Sequence, residues 1–297
     1  MKYQWIASLS ALFIINAAHA STDITSREYK LLLDTDKFTY QSEASDVANY
    51  TVQLASVISQ AINRNVSGNA SLDKERFVSY WDVPNACTLR TLGYSFRDRV
   101  SRYDANDRDA ALKFRSSDRF ISAYEDLASN RSKAESKLED DLLLGSDDDI
   151  SIKVSHSTKI SGYGKNINKI DDIYDDFPGF AAKYGVIDAD TPLSRVGNIT
   201  MYERRYKGQE IDLGQFDADL VVSLWYDNPA PLPGSKPIIA EASFDYADNQ
   251  GEYTSKVVQR AQQAFLAMGK MSDWVKLDGI TKTQFVYQYD SQFCSGQ

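Results

Sequence analysis

The chain has 297 residues, of which 42% are hydrophobic and 12% aromatic, which is enough for an ordinary core and too apolar for a disordered chain. Its formal net charge of −9, from 33 basic and 42 acidic residues, excludes a general nucleic-acid binder, which needs a basic field to displace counterions. A local basic pocket stays compatible with that total.

A positive start at Lys2, an apolar run from Trp5 to Ala18 and the triplet Ala18-His19-Ala20 predict a cleavable signal peptide over residues 1–20. The run is shorter than the roughly 20 apolar residues of a spanning helix, so it is not expected to anchor the chain. The mature protein is expected to begin near Ser21, to be periplasmic or secreted, and to keep no membrane contact after cleavage. In that setting Cys87 and Cys294 suggest one disulfide, with two separate thiols as the alternative.

Residues 27–33 read as a strand ending in the turn Asp34-Thr35-Asp36. Val47, Tyr50, Leu54, Ile58 and Ile62 recur at helical spacing, predicting a helix over 46–63 capped by Ser45 or Asp46. Residues 63–69 read as a connection. Strands are expected at 92–100, 110–115 and 137–143, with a helix over 117–133 from the spacing of Phe120, Tyr124 and Leu127. Another alternating strand covers 150–160. The acidic piece 171–176 lacks the ligand spacing of a calcium loop and reads as a solvated helix or loop ending in a turn. Strands follow at 198–206 and 218–227, a proline-rich loop at 228–237, a strand at 238–246, an amphipathic helix over 255–274 and a last strand at 284–289. The sum is an α+β domain, rich in short antiparallel strands with helices at the periphery, spanning 21–297 without a repeat or a clean linker.

His19 leaves with the signal peptide, so His156 is the one imidazole of the mature chain. A histidine-rich zinc site cannot be built, and a Ser-His-Asp arrangement would have to pass through His156. His156 alternates with Ile152 and Val154 on one strand face and reads as structural.

Alternation in a strand puts every second side chain on one face. Glu28 and Lys30 therefore share a face, as do Arg97 and Arg99, Lys113 and Arg115, Lys137 with Glu139 and Asp141, and Glu241 with Asp245. Their alternates Leu112, Phe114, Ala240, Ala242 and Phe244 are core-like. A single such face is the solvent side of a half-buried sheet, but a sheet closed with these faces inward would enclose a tunnel lined by both charges. Arginine and lysine in it would hold phosphoryl oxygens, and carboxylates would hold Mg²⁺ or Mn²⁺, so hydrolysis would need no histidine.

Ser26-Arg-Glu28-Tyr-Lys30 resembles the Glu-x-Glu-x-Lys signature of the CYTH-like triphosphate tunnel metalloenzymes. In the same order, Phe96-Arg97-Asp98-Arg99, Leu112-Lys113-Phe114-Arg115, Lys137-Leu-Glu139-Asp-Asp141, Met201 to Tyr206, Trp225-Tyr226-Asp227 and Ile239-Ala240-Glu241-Ala-Ser243 are similar to that family's later strands. The resemblance implies an eight-stranded antiparallel β-tunnel, a closed barrel, that acts on a triphosphate or polyphosphate chain. It implies Glu28, Glu139, Asp141 and Glu241 as metal ligands, Glu28 and Lys30 as catalytic, and Lys30, Arg97, Arg99, Lys113, Arg115 and Arg204 as phosphate-binding, with the choice between Arg204 and Arg205 open. Ser26 and Ser243 replace carboxylates of the family pattern by hydroxyls, poorer ligands for a hard dication. A non-catalytic polyphosphate or organic-anion binding protein with a degenerate metal site is thus the alternative, and a structural protein with solvated charged strands is a third reading.

Overall fold

The structure, a computed structural model, describes residues 24, 26–145, 148–247, 253–277 and 280–296. The expected signal peptide lies outside the described residues. The strands are β1 (Ser26–Leu33), β2 (Val66–Asp82), β3 (Tyr94–Ser101), β4 (Arg108–Ser116), β5 (Ala134–Leu144), β6 (Ile150–Ser161), β7 (Ser194–Arg195), β8 (Met201–Asp212), β9 (Asp217–Tyr226), β10 (Ile239–Ala247) and β11 (Val275–Lys276). The helices are α1 (Glu43–Ile62), α2 (Thr88–Thr91), α3 (Arg119–Tyr124), α4 (Asp171–Tyr174), α5 (Pro178–Tyr184), α6 (Ser255–Gly269) and α7 (Lys282–Tyr289).

The fold is mixed α+β, and its sheet closes on itself. Following hydrogen-bonded neighbours from β1 leads through β10, β9, β8, β2, β3, β4, β6 and β5 back to β1, a ring of nine strands. This corrects the expectation of eight antiparallel strands. An odd ring of alternating strands must contain one parallel pair, and it is β1 beside β5, with Glu28 opposite Asp141.

Around its cavity the ring is polar inside and apolar outside. Tyr29, Leu31 and Leu33 of β1, Leu224 of β9 and Phe244 of β10 face outward and pack with Val47 and Leu54 of α1 and Phe265 and Met268 of α6. On another side, Phe96, Leu112 and Phe114 meet Ile173 of α4 and Phe180 of α5. Both long helices have the apolar spacing that the sequence shows, and α1 stops at Asn63, whose φ of 51° is left-handed. His156 is on the outer face, its Nδ1 3.1 Å from the Ser122 carbonyl. Of the acidic piece, Asp176 is not solvated: it is buried between Arg131 and Lys165, at 2.6 and 3.0 Å.

Three expected elements need correction. A long strand, β2, begins at Val66, inside residues 63–69 where a connection was expected, and runs to Asp82. The helix expected over 117–133 is only α3, started by the Asp118 carboxylate and ended where Glu125 turns extended to meet Tyr94 and Lys183. The expected strand 284–289 is α7, because Thr281 and Gln284 form a reciprocal capping box that starts a helix.

Cys87 and Cys294 are bonded, with Cα atoms 5.4 Å apart. Replacing both by serine is expected to cost about 3 kcal/mol, because the bridge ties positions 207 residues apart and restricts the unfolded chain. The measurement is the urea midpoint of the variant against the oxidised protein.

Candidate functional site

The ring encloses a cavity of about 680 Å³. Among the described residues its wall carries eleven lysine and arginine side chains against seven carboxylates, a surplus of positive charge that remains when the buried Asp141 behind the wall is counted, inside a chain of net charge −9. The alternation predicted from sequence puts Glu28, Lys30, Arg97, Arg99, Lys113, Arg115, Glu139 and Glu241 on this wall.

Asp141 is the buried anchor of the cationic side. Its oxygens lie 2.6 Å from Lys30 Nζ, 3.3 Å from Lys113 Nζ and 3.0 Å from Arg115 Nε. Burial would raise its pKa, but Lys113, Lys30 and Arg115 hold it well below the usual carboxylate range. Burial likewise opposes the charge on Lys30, and Asp141, Glu28 and Glu139 outweigh it and raise its pKa. Lys113 goes the other way: burial and the neighbouring Arg115 lower it.

Glu139 accepts from Lys113 at 3.2 Å, from the Ser26 hydroxyl at 3.4 Å, and pairs with Lys137 at 2.7 Å. Burial would raise its pKa, yet Lys113 and Lys30 bring it down to about 2. Ser26 therefore keeps a place beside this carboxylate as a hydrogen-bond donor. Oxygens of Glu28, Glu139 and Asp141 come within 4.8 Å of one another. Such an all-oxygen set suits a hard divalent cation. Crowding supports the same fit: burial and then the Glu28 charge push Asp245 up to about 6, an excess of negative charge that a cation would relieve.

Because the folded pKa of Asp245 lies above that of a free carboxyl, the fold takes up a proton between about pH 4 and 6 and loses stability as pH rises through that window. In a chelator-containing buffer, Asp245→Asn should be more stable than wild type by about 2 kcal/mol at pH 8 and equal to it at pH 4. Urea titrations at the two pH values measure this.

Arg97 and Arg99 differ from the other wall cations. Neither makes a side-chain hydrogen bond or ion pair among the described residues, and the Nε atom of each is sealed from water. Burial, Arg97 and Arg76 together push Arg99 down to about 9. Arg76 is engaged by the buried Glu203, which also accepts from Trp225 Nε1 at 3.0 Å.

Two expected site residues stand elsewhere. Arg204 points out of the ring, where Glu43 of α1 and Glu75 take its guanidinium and it lies over the Tyr40 ring. Its neighbour Arg205 lines the lumen instead, as do Glu203 and Lys207. Tyr202 and Tyr206 share the parity of Arg204 and belong to the outer core, so alternation along this strand carried the signal. Glu241 lines the lumen but is paired with Lys282 at 2.7 Å and is not in the carboxylate cluster. Glu28 and Glu241 sit at different levels of the ring: opposite Glu28 on β10 is Asp245, while Glu241 lies opposite Leu32. Sequence reasoning also missed Arg76 and Tyr80, which β2 supplies, and Lys282, which comes from a helix.

No family model and no curated protein matches this chain. Among solved structures it is similar to the Hippeastrum protein HpAC1, a candidate adenylyl cyclase whose dominant activity is that of a triphosphatase, at 13% identity and a TM-score of 0.43, over 90% of this chain and 97% of that one. It is also similar to a candidate adenylate cyclase of Bacillus halodurans, at 12% identity and a TM-score of 0.38, over 88% and 98% of the two chains.

Proposed function

We propose that the ring is the body of one exported tunnel domain, residues 21–297, that binds a triphosphate or polyphosphate chain in its lumen and hydrolyses it with the help of Mg²⁺ or Mn²⁺. One observation supports this reading: two guanidinium groups, Arg97 and Arg99, face a net-positive lumen and make no side-chain hydrogen bond or ion pair among the described residues, while Glu203 and Asp109 offset the burial of Arg99 only in part. A half-buried charge without a direct partner is costly, and a polyanion is the ligand that partners several at once. Phosphoryl oxygens suit it because guanidinium groups meet them with paired donors.

Lys30, Lys113 and Arg115, anchored on Asp141, would grip a second phosphoryl group, and Arg205 a third. Glu28 and Glu139 would hold the divalent cation, with Asp245 beside them. Bound there, the cation would polarise a phosphoryl group and orient a water for hydrolysis. Asp141 is committed to three cationic side chains, so it would act behind the site, and Glu241 to Lys282. The disulfide fits an oxidising compartment outside the cytoplasm, where nucleoside triphosphates are scarce, so polyphosphate or a scavenged phosphate ester is the better-fitting substrate.

Ser26 and Ser243 on the lumen wall favour a second reading, a binding protein that keeps the basic wall and has lost turnover. Calorimetric titration with inorganic tripolyphosphate in EDTA tests binding, and phosphate release across a series of divalent ions tests hydrolysis. Binding with release supports the hydrolase. Binding without release leaves the anion-binding protein, and no binding removes both.

A further inference from the structure

The lumen wall changes character along its length. Toward one end the inward side chains are Leu32, Val78, Tyr80, Met201, Trp225 and Ile239, all buried. They form one apolar cluster with Val286 and Tyr287 of α7 and Phe293 of the tail, so helix and tail together stop this end of the ring. The stopper is tied down by two bonds: the Tyr287 hydroxyl donates to the buried Asp82 at 2.7 Å, and Cys294 is bonded to Cys87.

The first turn of α7 reaches past the stopper into the lumen. Lys282 Nζ is 2.7 Å from Glu241 of β10 and 5.2 Å from the Trp225 ring centre on β9. Thr283 Oγ1 accepts from Arg115 of β4 at 3.3 Å and donates to the Tyr80 hydroxyl of β2 at 3.4 Å. These four strands are spread over more than half of the ring order, so side chains that touch all of them lie across the lumen.

We infer that Lys282 is a substrate-positioning residue, which takes the terminal phosphoryl group of a chain that has entered from the other end. The inference rests on the anion-binding reading above and adds that the chain is read from its end. In the anion-free protein Glu241 neutralises the ammonium; a terminal phosphoryl group, with more free oxygens and more negative charge than an internal one, takes the place of Glu241 as its partner. Arg115 and Thr283 present further donors at the same spot. The pairing of Glu241 with Lys282 thus has a role apart from any metal.

The experiment is calorimetric titration of the oxidised protein in EDTA with inorganic tripolyphosphate, which has ends, and with cyclic trimetaphosphate, which has none. Lys282→Met should weaken tripolyphosphate binding about 10-fold or more, the loss of one charge-assisted contact, and change trimetaphosphate binding less than about 2-fold. Lys282→Arg should restore tripolyphosphate binding to within about 3-fold of wild type. Glu241→Gln, which frees the ammonium, should tighten it about 3-fold or more. A lysine that only holds the stopper in place predicts the opposite sign for Glu241→Gln and equal losses for both anions in Lys282→Met, and either result overturns the proposal. If wild type binds tripolyphosphate and Lys282→Met binds it as tightly, this inference alone fails; if wild type binds neither anion, the function proposed above fails with it.

Discussion

Replacing Arg97 and Arg99 together by methionine is expected to weaken tripolyphosphate binding at least about 1,000-fold while raising the melting temperature of the anion-free protein by about 3 °C. The two effects have one cause. Each guanidinium sits on the lumen wall with its Nε sealed from water and no acceptor among the described residues, and burial with Arg97 and Arg76 already pushes Arg99 down to about 9. In the empty protein neither side chain has a hydrogen bond or ion pair among the described residues, and Glu203 and Asp109 offset the burial of Arg99 only in part, so a methionine of similar length removes a charge that lacks a direct partner while keeping most of the packing. In the complex they are the donors with nothing else to give up, so each contributes about 2 kcal/mol of charge-assisted contact. The usual link between tighter packing and tighter binding is therefore reversed at these positions. Scanning calorimetry with and without tripolyphosphate measures both signs at once, since a ligand stabilises only the state that binds it. A double variant that melts lower when empty and keeps its anion-induced shift would mean that the arginines are structural.

The alternation of charged and apolar residues was the legible part of this molecule, because it reflects a local geometric rule that tertiary context cannot change once a strand exists. It placed Glu28 with Lys30, Arg97 with Arg99 and Lys113 with Arg115 on one wall. It also carried the answer for β8, where Tyr202 and Tyr206 mark the outer face and so leave Arg205 for the lumen. Strand β2 was not legible: its first part is polar on both faces and interrupted by register shifts beside Gly68 and Leu72, so no period of two emerges before Arg76. Gly68 has φ of 81°, and a Cβ there would lie 2.1 Å from the Gly208 carbonyl oxygen, so the strand crosses its neighbour at a point only glycine allows. Lys282 was hidden for a different reason. Helical spacing says which face of a helix is apolar but not that its first turn crosses the mouth of a ring built from residues far earlier in the chain. The capping box at Thr281 and Gln284 was in plain view, and it outweighs the alternation of Phe285, Tyr287 and Tyr289.

Glu28→Gln is expected to lower phosphate release from tripolyphosphate at least about 1,000-fold in saturating Mg²⁺ or Mn²⁺, while binding measured in EDTA changes less than about 3-fold. Of the clustered carboxylates, Glu28 has the fewest cationic partners among the described residues and the most exposed side chain. Its side chain is 25% exposed and pairs with Lys30 at 2.7 Å, whereas the Asp141 side chain is 1% exposed and holds three cationic groups. An amide keeps the size and one acceptor oxygen of the carboxylate but not its charge, so the change removes the attraction for a divalent cation and leaves the basic wall intact. The predicted split, with release lost and metal-free binding kept, follows because Lys113 and Arg115 are fastened to Asp141, and Lys30 keeps its 2.6 Å pair with Asp141 when it loses the charge of Glu28. Asp141→Asn should show the reverse, weakening metal-free binding by letting Lys30, Lys113 and Arg115 move apart under their own repulsion. Equal loss of binding and release in Glu28→Gln would mean that this carboxylate supports the cationic wall and is no cation ligand. Wild type that binds tripolyphosphate and releases no phosphate with any divalent ion would leave a tunnel that holds its anion intact, with Ser26 donating to Glu139 where a second carboxylate would have faced the cation.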